Sequence, residues 1–439
     1  MSNKEYESFK LKNGLKIILI PLVQNMVNDK NCLKNNKYIN NIGINLFIPV
    51  GSRHEDKNNS GISHILEHAS FRQYFDKDVS IMRKLQINGS IFNAETSLEY
   101  THYYVISDSK FIDDDIKIMS KILLDLEYNV NEIEKEKRVI LEEYFLGKDN
   151  VKKVLIESIF GLLADKSHPI NKPVIGTFQN IKNVTVKNIV NFKKKHYNTN
   201  TATIVISGNF DKKEILTKIN NYFNIERRGD ITFPVPINLK PDGLKIKTIE
   251  KKGFNHVYLC LGFKSINLYN KEKYIYDVLS QILKNKLFLA LRDDNGLTYT
   301  SNVVSNYNSD FGLLGILSSV ISVYVYKTIY VMLSVLYSLK TENINKTELA
   351  SAITTILNGN NVELSSVLNH NTIYGFQSLY NIKNIETPKE YLANINSVTT
   401  KDILTVAKKL FKVNNMLFVS VGDLNNNVNL KKLLNLLKN

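Results

Sequence analysis

"NIKNVTVKNIVNFKKKHYNTNTATIVISGNF", residues 180–210, lies without a gap over "NINSVTTKDILTVAKKLFKVNNMLFVSVGDL", residues 394–424. Asn180, Ile181, Val184, Thr185, Lys187, Ile189, Lys194, Lys195 and Gly208 recur 214 positions later as Asn394, Ile395, Val398, Thr399, Lys401, Ile403, Lys408, Lys409 and Gly422. Each copy reads as an amphipathic helix capped by Thr185 or Thr399, then a β-rich strand and a turn. Such an offset in 439 residues means two tandem copies of one domain. The join falls in "ERRGDITFPVPINLKPDG" (226–243), which holds three of the eight prolines. The expected organisation is therefore an N-terminal domain over 1–225, a linker over 226–243 and a homologous C-terminal domain over 244–439. Alternating strands such as "GLKIILIPL" (14–22) and "HVYLCLGF" (256–263) are interleaved with long helices. That mixture predicts an α+β fold: two sandwich domains, each a mostly antiparallel sheet with helices packed on one face.

Bulk composition narrows the class. Hydrophobic residues make up 43% and aromatics 10%, enough for real cores. The two cysteines, Cys32 and Cys260, are far apart in sequence, which rules out a cysteine-built metal site and argues for a reducing, cytoplasmic setting. The polar start "MSNKEYESFKLKNG" lacks the features of a targeting segment. In "FGLLGILSSVISVYVYKTIYVMLSVLYSL" (311–339), Lys327 ends an uncharged run of 16 residues, short of the ~20 a spanning helix needs. It reads as a core strand followed by a core helix, with no membrane partner expected. The net charge of +15 comes from scattered lysines, with "NDKNCLKNNKYINN" (28–41) reading as a polar loop. No arginine-rich, aromatic-interleaved stripe is present, so no nucleic acid is expected.

One short stretch carries chemistry. "SGISHILEHASFRQ" (60–73) places His64, Glu67 and His68 in an H-x-x-E-H pattern. Histidines four apart on a helix share a face and can bind one Zn²⁺. Glu67 reaches the same face and is placed to act as a general base. Ile62, Ile65, Leu66 and Phe71 surround the polar set, and burying it without a partner would be costly. Residues 278–282 of the second copy, "VLSQI", hold nothing that binds a metal, so the fold does not require these side chains. A catalytic zinc takes a third protein ligand. The acidic helix "NEIEKEKRVILEEYF" (131–145) offers Glu136 and Glu143, two turns apart on a face shared with Val139 and Ile140. One would be a ligand and the other a support; spacing alone does not say which. Glu132, Glu134 and Glu142 fall on a solvated face.

These residues resemble the inverzincin metallopeptidases, the pitrilysin/insulinase family that includes the mitochondrial processing peptidases. "GSRHEDKNNSGISHILEHASF" (51–71) is similar to the family's entry to the zinc helix, and "NGSIFNAETSLEYTHYYV" (88–105) to its edge strand. "EKRVILEEYF" (136–145), "HPINKPVIGTFQNI" (168–181) and "LFLALRDDNGLTYTSNV" (287–303) extend the likeness over nearly the whole chain. The family's usual Lys-Gly-Thr after Phe71 is here Arg72-Gln73-Tyr74. The resemblance implies one zinc per chain, with His64, His68 and Glu143 as ligands, Glu136 in support and Glu67 as base. It implies that Asn93 and Ala94 pair with substrate backbone, and that Arg292 and Tyr299 stabilise the oxyanion. On their own, those last two read as a helix-end charge and a strand aromatic. It further implies a zinc endopeptidase that dimerises into a chamber for peptides, as a homodimer or with a related subunit. A non-catalytic partner subunit of a heterodimeric peptidase is the alternative.

Overall fold

The computed structural model describes residues 5–22, 41–230, 232–237, 239, 243–382, 384–424 and 429–438. Cys32 and the asparagine-rich insert, apart from Asn41, lie outside them. The chain opens with strands β1 (Glu7–Lys10), β2 (Lys16–Pro21) and β3 (Asn41–Ile48), then helix α1 (Ile62–Arg72). A short hairpin, β4 (Tyr74–Asp76) and β5 (Val79–Ser80), leads to α2 (Ile81–Ile87), β6 (Ile91–Thr96) and β7 (Thr101–Asp108). Helices α3 (Ile112–Leu124), α4 (Val130–Asp149), α5 (Val151–Gly161), α6 (Phe178–Asn183) and α7 (Val186–His196) follow. Strand β8 (Thr203–Gly208) and helix α8 (Lys212–Tyr222) close the first half. The second half runs β9 (Lys245–Glu250), β10 (His256–Ser265), α9 (Lys273–Phe288), β11 (Ser301–Tyr307), β12 (Gly312–Ile321) and α10 (Val325–Thr341). It ends with α11 (Lys346–Glu363), α12 (Val367–Leu379), α13 (Pro388–Asn396), α14 (Thr400–Leu410), β13 (Met416–Gly422) and α15 (Leu430–Leu434).

The fold is α+β, built from two sheets of related order. The first runs β1-β2-β8-β3-β7-β6 and the second β11-β12-β10-β13-β9. Every described pairing in them is antiparallel except β2–β8 and β9–β13, which occupy the same place in the two copies. The repeated stretch forms α7–β8 and α14–β13. Thr185 and Thr399 cap their helices as expected, accepting from Asn188 N and Asp402 N in two matching capping boxes. The repeated glycine has one cause in both copies: Gly208 and Gly422 have φ of 133° and 139°. A Cβ there would lie 2.8 Å from Asn41 O or 2.7 Å from His256 O.

Two compact units emerge, and neither is continuous in sequence. The first comprises Met1–Tyr144, Lys172–Val235 and Val362–Thr387; the second comprises Phe145–Asn171, Pro236–Asn361 and Pro388–Asn439. The linear division into 1–225 and 244–439 therefore omits an exchange of helices. The proline-rich 226–243 stretch is no free tether. Arg227 donates to Leu123 O at 3.2 Å, and buried Arg53, ion-paired to Glu99, donates to Val235 O at 2.5 Å. The chain changes unit at Pro236.

In the first sheet, Ile42, Ile44, Leu46 and Ile48 of β3 face the core formed with α1, α3 and α7. Phe47, Ile18, Ile20 and Val205 point the other way, and α12 covers them with Tyr374 and Leu379. Ser207 Oγ donates to Val367 O at 2.9 Å, and Asn371 Nδ2 to Asn45 Oδ1 at 2.9 Å. In the second unit, α5 lies over β10 and β13, with Ile159 against Gly262 and Phe160 edge-on to Phe311. Each sheet thus has its helical layer on one face, as expected, and one further helix on the opposite face.

Candidate metal centre

α1 starts at Gly61, whose φ of 93° lets the chain turn where a Cβ would lie 2.5 Å from Ile175 O. A helix start leaves N–H groups without intrahelical partners. The buried Glu55 carboxylate takes two: Gly61 N donates to Oε2 at 2.7 Å and Ser63 N to Oε1 at 2.9 Å. Burial pushes the Glu55 carboxyl up to about 7, even though these bonds favour its charged form. The helix is anchored along its core side by Ile62, Ile65, Leu66 and Ala69. That leaves His64 and His68 on the opposite side, with ring centroids 4.6 Å apart.

α4 supplies two carboxylates. Glu143 Oε2 lies 3.6 Å from both His64 Nε2 and His68 Nε2. The three potential ligand atoms all lie within 4.8 Å of one another. Donors at ~2.0–2.2 Å around a tetrahedral ion stand about 3.3–3.6 Å apart, so two imidazoles and this carboxylate fit zinc in chemistry and spacing. The Glu143 side chain is 42% exposed, so the group opens toward solvent, as a site with one exchangeable position must.

Glu136 is buried behind His68. It accepts from His68 Nδ1 at 2.8 Å and from Arg72 Nε at 2.5 Å. The carboxylate thereby fixes the proton on Nδ1 and turns the Nε2 lone pair toward Glu143. Burial opposes charge on His68, but its bonds to Glu136 and Glu143 outweigh it and hold the pKa up at about 9; a metal would displace the Nε2 proton and leave the neutral ring protonated on Nδ1. Burial works against Glu136 as well, yet His68 and Arg72 bring its pKa below the usual value. The face of α4 differs from expectation in one residue. Ile140 is fully buried between the two glutamates, but Val139 is 49% exposed. Glu136, Ile140 and Glu143 are spaced i, i+4, i+7, and Val139 lies 100° of helical rotation from Ile140, on the border next to half-exposed Glu143. Glu132, Glu134 and Glu142 face solvent or their own lysines, Lys135 and Lys137.

Glu67 is buried beside His68 and accepts from Thr96 Oγ1 at 2.7 Å. Burial pushes its carboxyl up, partly opposed by Thr96 and His68. A carboxylate with raised proton affinity next to a metal group suits a general base.

Two family profiles match the chain. One described as "Insulinase (Peptidase family M16)" covers residues 31–168, and one described as "Peptidase M16 inactive domain" covers 183–356. A zinc protease of Rickettsia bellii, itself uncharacterized, is 30% identical over 69% of this chain and 69% of its own length. The chain belongs to the M16 peptidase family. A second uncharacterized zinc protease, from Rickettsia felis, is 27% identical over 92% of this M16 chain and 94% of its own. The crystal structure of a protease from Helicobacter pylori shares the fold: TM-score 0.82, 21% identity, covering 95% of this chain and 99% of that one. Among the relatives of this M16 protein the word protease therefore goes with zinc. The profile termed inactive falls on a region that holds none of His64, His68 and Glu143.

The remaining anticipated residues of the M16 chain fall in two places. Asn93 and Ala94 lie on β6, an edge strand of the first sheet, which among the described residues pairs only with β7. Arg292 and Tyr299 belong to the second unit. Arg292 sits on a π-helical turn, Leu289–Asp293, with its guanidinium 5.0 Å from the Tyr299 ring centroid and 5.1 Å from that of Phe288. Tyr299 is 81% exposed, so it is no core aromatic of the strand that follows. Three residues at the centre escaped sequence reading. Glu55 and Thr96 had no signal beyond their type, because their partners are set by the fold. Arg72 did have one: it replaces a lysine of the family pattern four residues after His68, in reach of the same carboxylate.

Proposed function

We propose that this protein is a zinc endopeptidase acting on peptides or unfolded segments. The observation that carries the reading is the convergence of His64, His68 and Glu143 from two helices, with Glu67 buried beside them. When bound, zinc supplies Lewis acidity and brings the pKa of water down to about 7. Glu67 takes the proton of the attacking water and later delivers it to the leaving amine. Thr96 holds the carboxylate in one orientation for both transfers. Glu136 and Arg72 keep His68 in the ligating tautomer. The free edge of β6 at Asn93 and Ala94 aligns substrate by adding it as a further strand, which requires an extended chain. Arg292 and Tyr299 offer a guanidinium and a phenol to the developing oxyanion. In this reading two such chains close a chamber, and each lends its Arg292 and Tyr299 to the other's zinc.

The test is digestion of a mixed peptide library, read by mass spectrometry, with zinc-loaded wild type and Glu67→Gln. Cleavage by wild type alone is the expected result. If wild type binds zinc and dimerises yet cuts nothing, the endopeptidase reading fails and the role of a non-catalytic partner subunit takes its place.

A further inference from the structure

The duplication compares a surface with itself. α3 and α10 hold the same place in the two units, each entered through a 3₁₀ turn, Ser109–Phe111 or Ser322–Tyr324. Their core sides agree residue for residue: Ile112, Ile116, Met119 and Leu123 against Val325, Ile329, Met332 and Leu336, all buried. Their outer sides do not. Lys110, Asp113, Asp114, Lys117 and Lys121 in the first copy stand opposite Val323, Tyr326, Lys327, Tyr330 and Ser334 in the second. Val323 is 67% exposed, Tyr326 54% and Tyr330 50%, with Ile321 and Tyr324 also exposed beside them. The first copy shows that this helix does not need an apolar outer face. A contiguous exposed face of this kind marks a binding surface.

Its chemistry narrows the partner. Ser322–Thr341 is long and apolar enough to cross a membrane. A crossing, however, would pull Ile329, Met332 and Leu336 out of the second core, so against a bilayer the helix would lie flat, with its outer face down. From residue 311 to 341 there is no acidic residue. α14 and α15 pack beside α10 and expose Lys401, Lys408, Lys431 and Lys432, which with Arg292 outnumber the exposed Asp293 and Asp294 at the adjoining π-helical turn. Two copies meeting through this face would bring two Lys327 cations into it with no carboxylate of α10 to pair them, which disfavours self-association. An anionic lipid surface satisfies both needs: phosphates for the lysines, and an interfacial layer where tyrosines with an apolar body and a polar tip reside.

We propose that the outer face of α10, from Ile321 to Tyr330, docks on anionic bilayers, with Val323, Tyr326 and Tyr330 in the headgroup layer and Lys327 on phosphate. It runs against the expectation, drawn from sequence, that no membrane is involved, and vesicle binding decides between the two.

Flotation of the full chain with vesicles tests it, using phosphatidylcholine alone and phosphatidylcholine mixed in equal parts with phosphatidylglycerol. Wild type should float only with the anionic vesicles and should be released as salt rises. Tyr326→Asp with Tyr330→Lys restores the first copy's residues without changing net charge. Partitioning should then fall about tenfold, as it should for Lys327→Glu. An unchanged melting temperature of each variant confirms its fold. Wild type that ignores anionic vesicles, or variants that float like wild type, would overturn the proposal. So would a loss of self-association in the variants, seen by sedimentation, without any vesicle binding by wild type; the face would then belong to a second copy of the chain.

Discussion

The division of labour among the carboxylates of the first unit is set by what each touches. Glu67 is buried with one hydroxyl partner, Glu136 is neutralised by His68 and Arg72, and Glu143 is open to solvent. Glu67→Gln should therefore keep zinc, measured by atomic absorption, while kcat drops roughly 10²–10⁴-fold, as for loss of a general base. Glu136→Gln should act through the metal, weakening zinc affinity about 10–100-fold in a chelator competition. A different group of residues sets the acid limit. Burial brings the imidazoles of His54, His102 and His196 down to about 4, well below the 6.5 of an unfolded chain. Between those values the unfolded state binds more protons, so stability present above pH 6.5 is lost as pH falls toward 4. The raised carboxyls of Glu55 and Asp115 run in the opposite sense, losing stability as pH rises toward 7. A single variant separates the two trends. His196→Phe should shrink the difference between urea stabilities at pH 7 and pH 5 by roughly 1–2 kcal/mol. These assignments were only partly legible. His64, Glu67 and His68 declare themselves by spacing within one helix, whereas Thr96 and Glu55 act across a tertiary contact that no local pattern encodes.

At the level of elements, the caps of α7 and α14 and the strands around them follow directly from the repeated residues. The exchange of α5 and α12 does not. An amphipathic helix announces that one side will be buried, but not which sheet will bury it. The strands held the better clue. "KIILIP" (16–21) runs four apolar residues together, Ile17 to Ile20, the mark of a strand covered on both faces, where one-sided packing calls for alternation. The fit of α12 is close. A Cβ at Gly375 would lie 2.0 Å from the Phe47 ring. Gly375→Ala should therefore lower stability by about 1–3 kcal/mol through overpacking, despite alanine's higher helix propensity, and a thermal melt would show it.

For the whole molecule, the proposed chamber makes a prediction no single chain can satisfy. Chains with Glu67→Gln and chains with Arg292→Ala should each be nearly inactive. If Arg292 serves the partner's zinc, unfolding and refolding them together in equal amounts should restore about a quarter of wild-type activity, because half the dimers hold one complete site. Absence of recovery, with mixed dimers demonstrated by native mass spectrometry, would place Arg292 in the service of its own chain. The helix over the outer face of the first sheet has a consequence of another kind, in time. Strand β8 completes that sheet at Gly208, but the residues that cover Phe47, Ile18 and Val205 are not made until Val367–Leu379. At about 5–20 residues per second, the ribosome leaves this face bare for on the order of ten seconds or more. The nascent chain must spend that interval with an unsheltered greasy sheet, and its yield in a cell should depend on holdase chaperones at the tunnel exit.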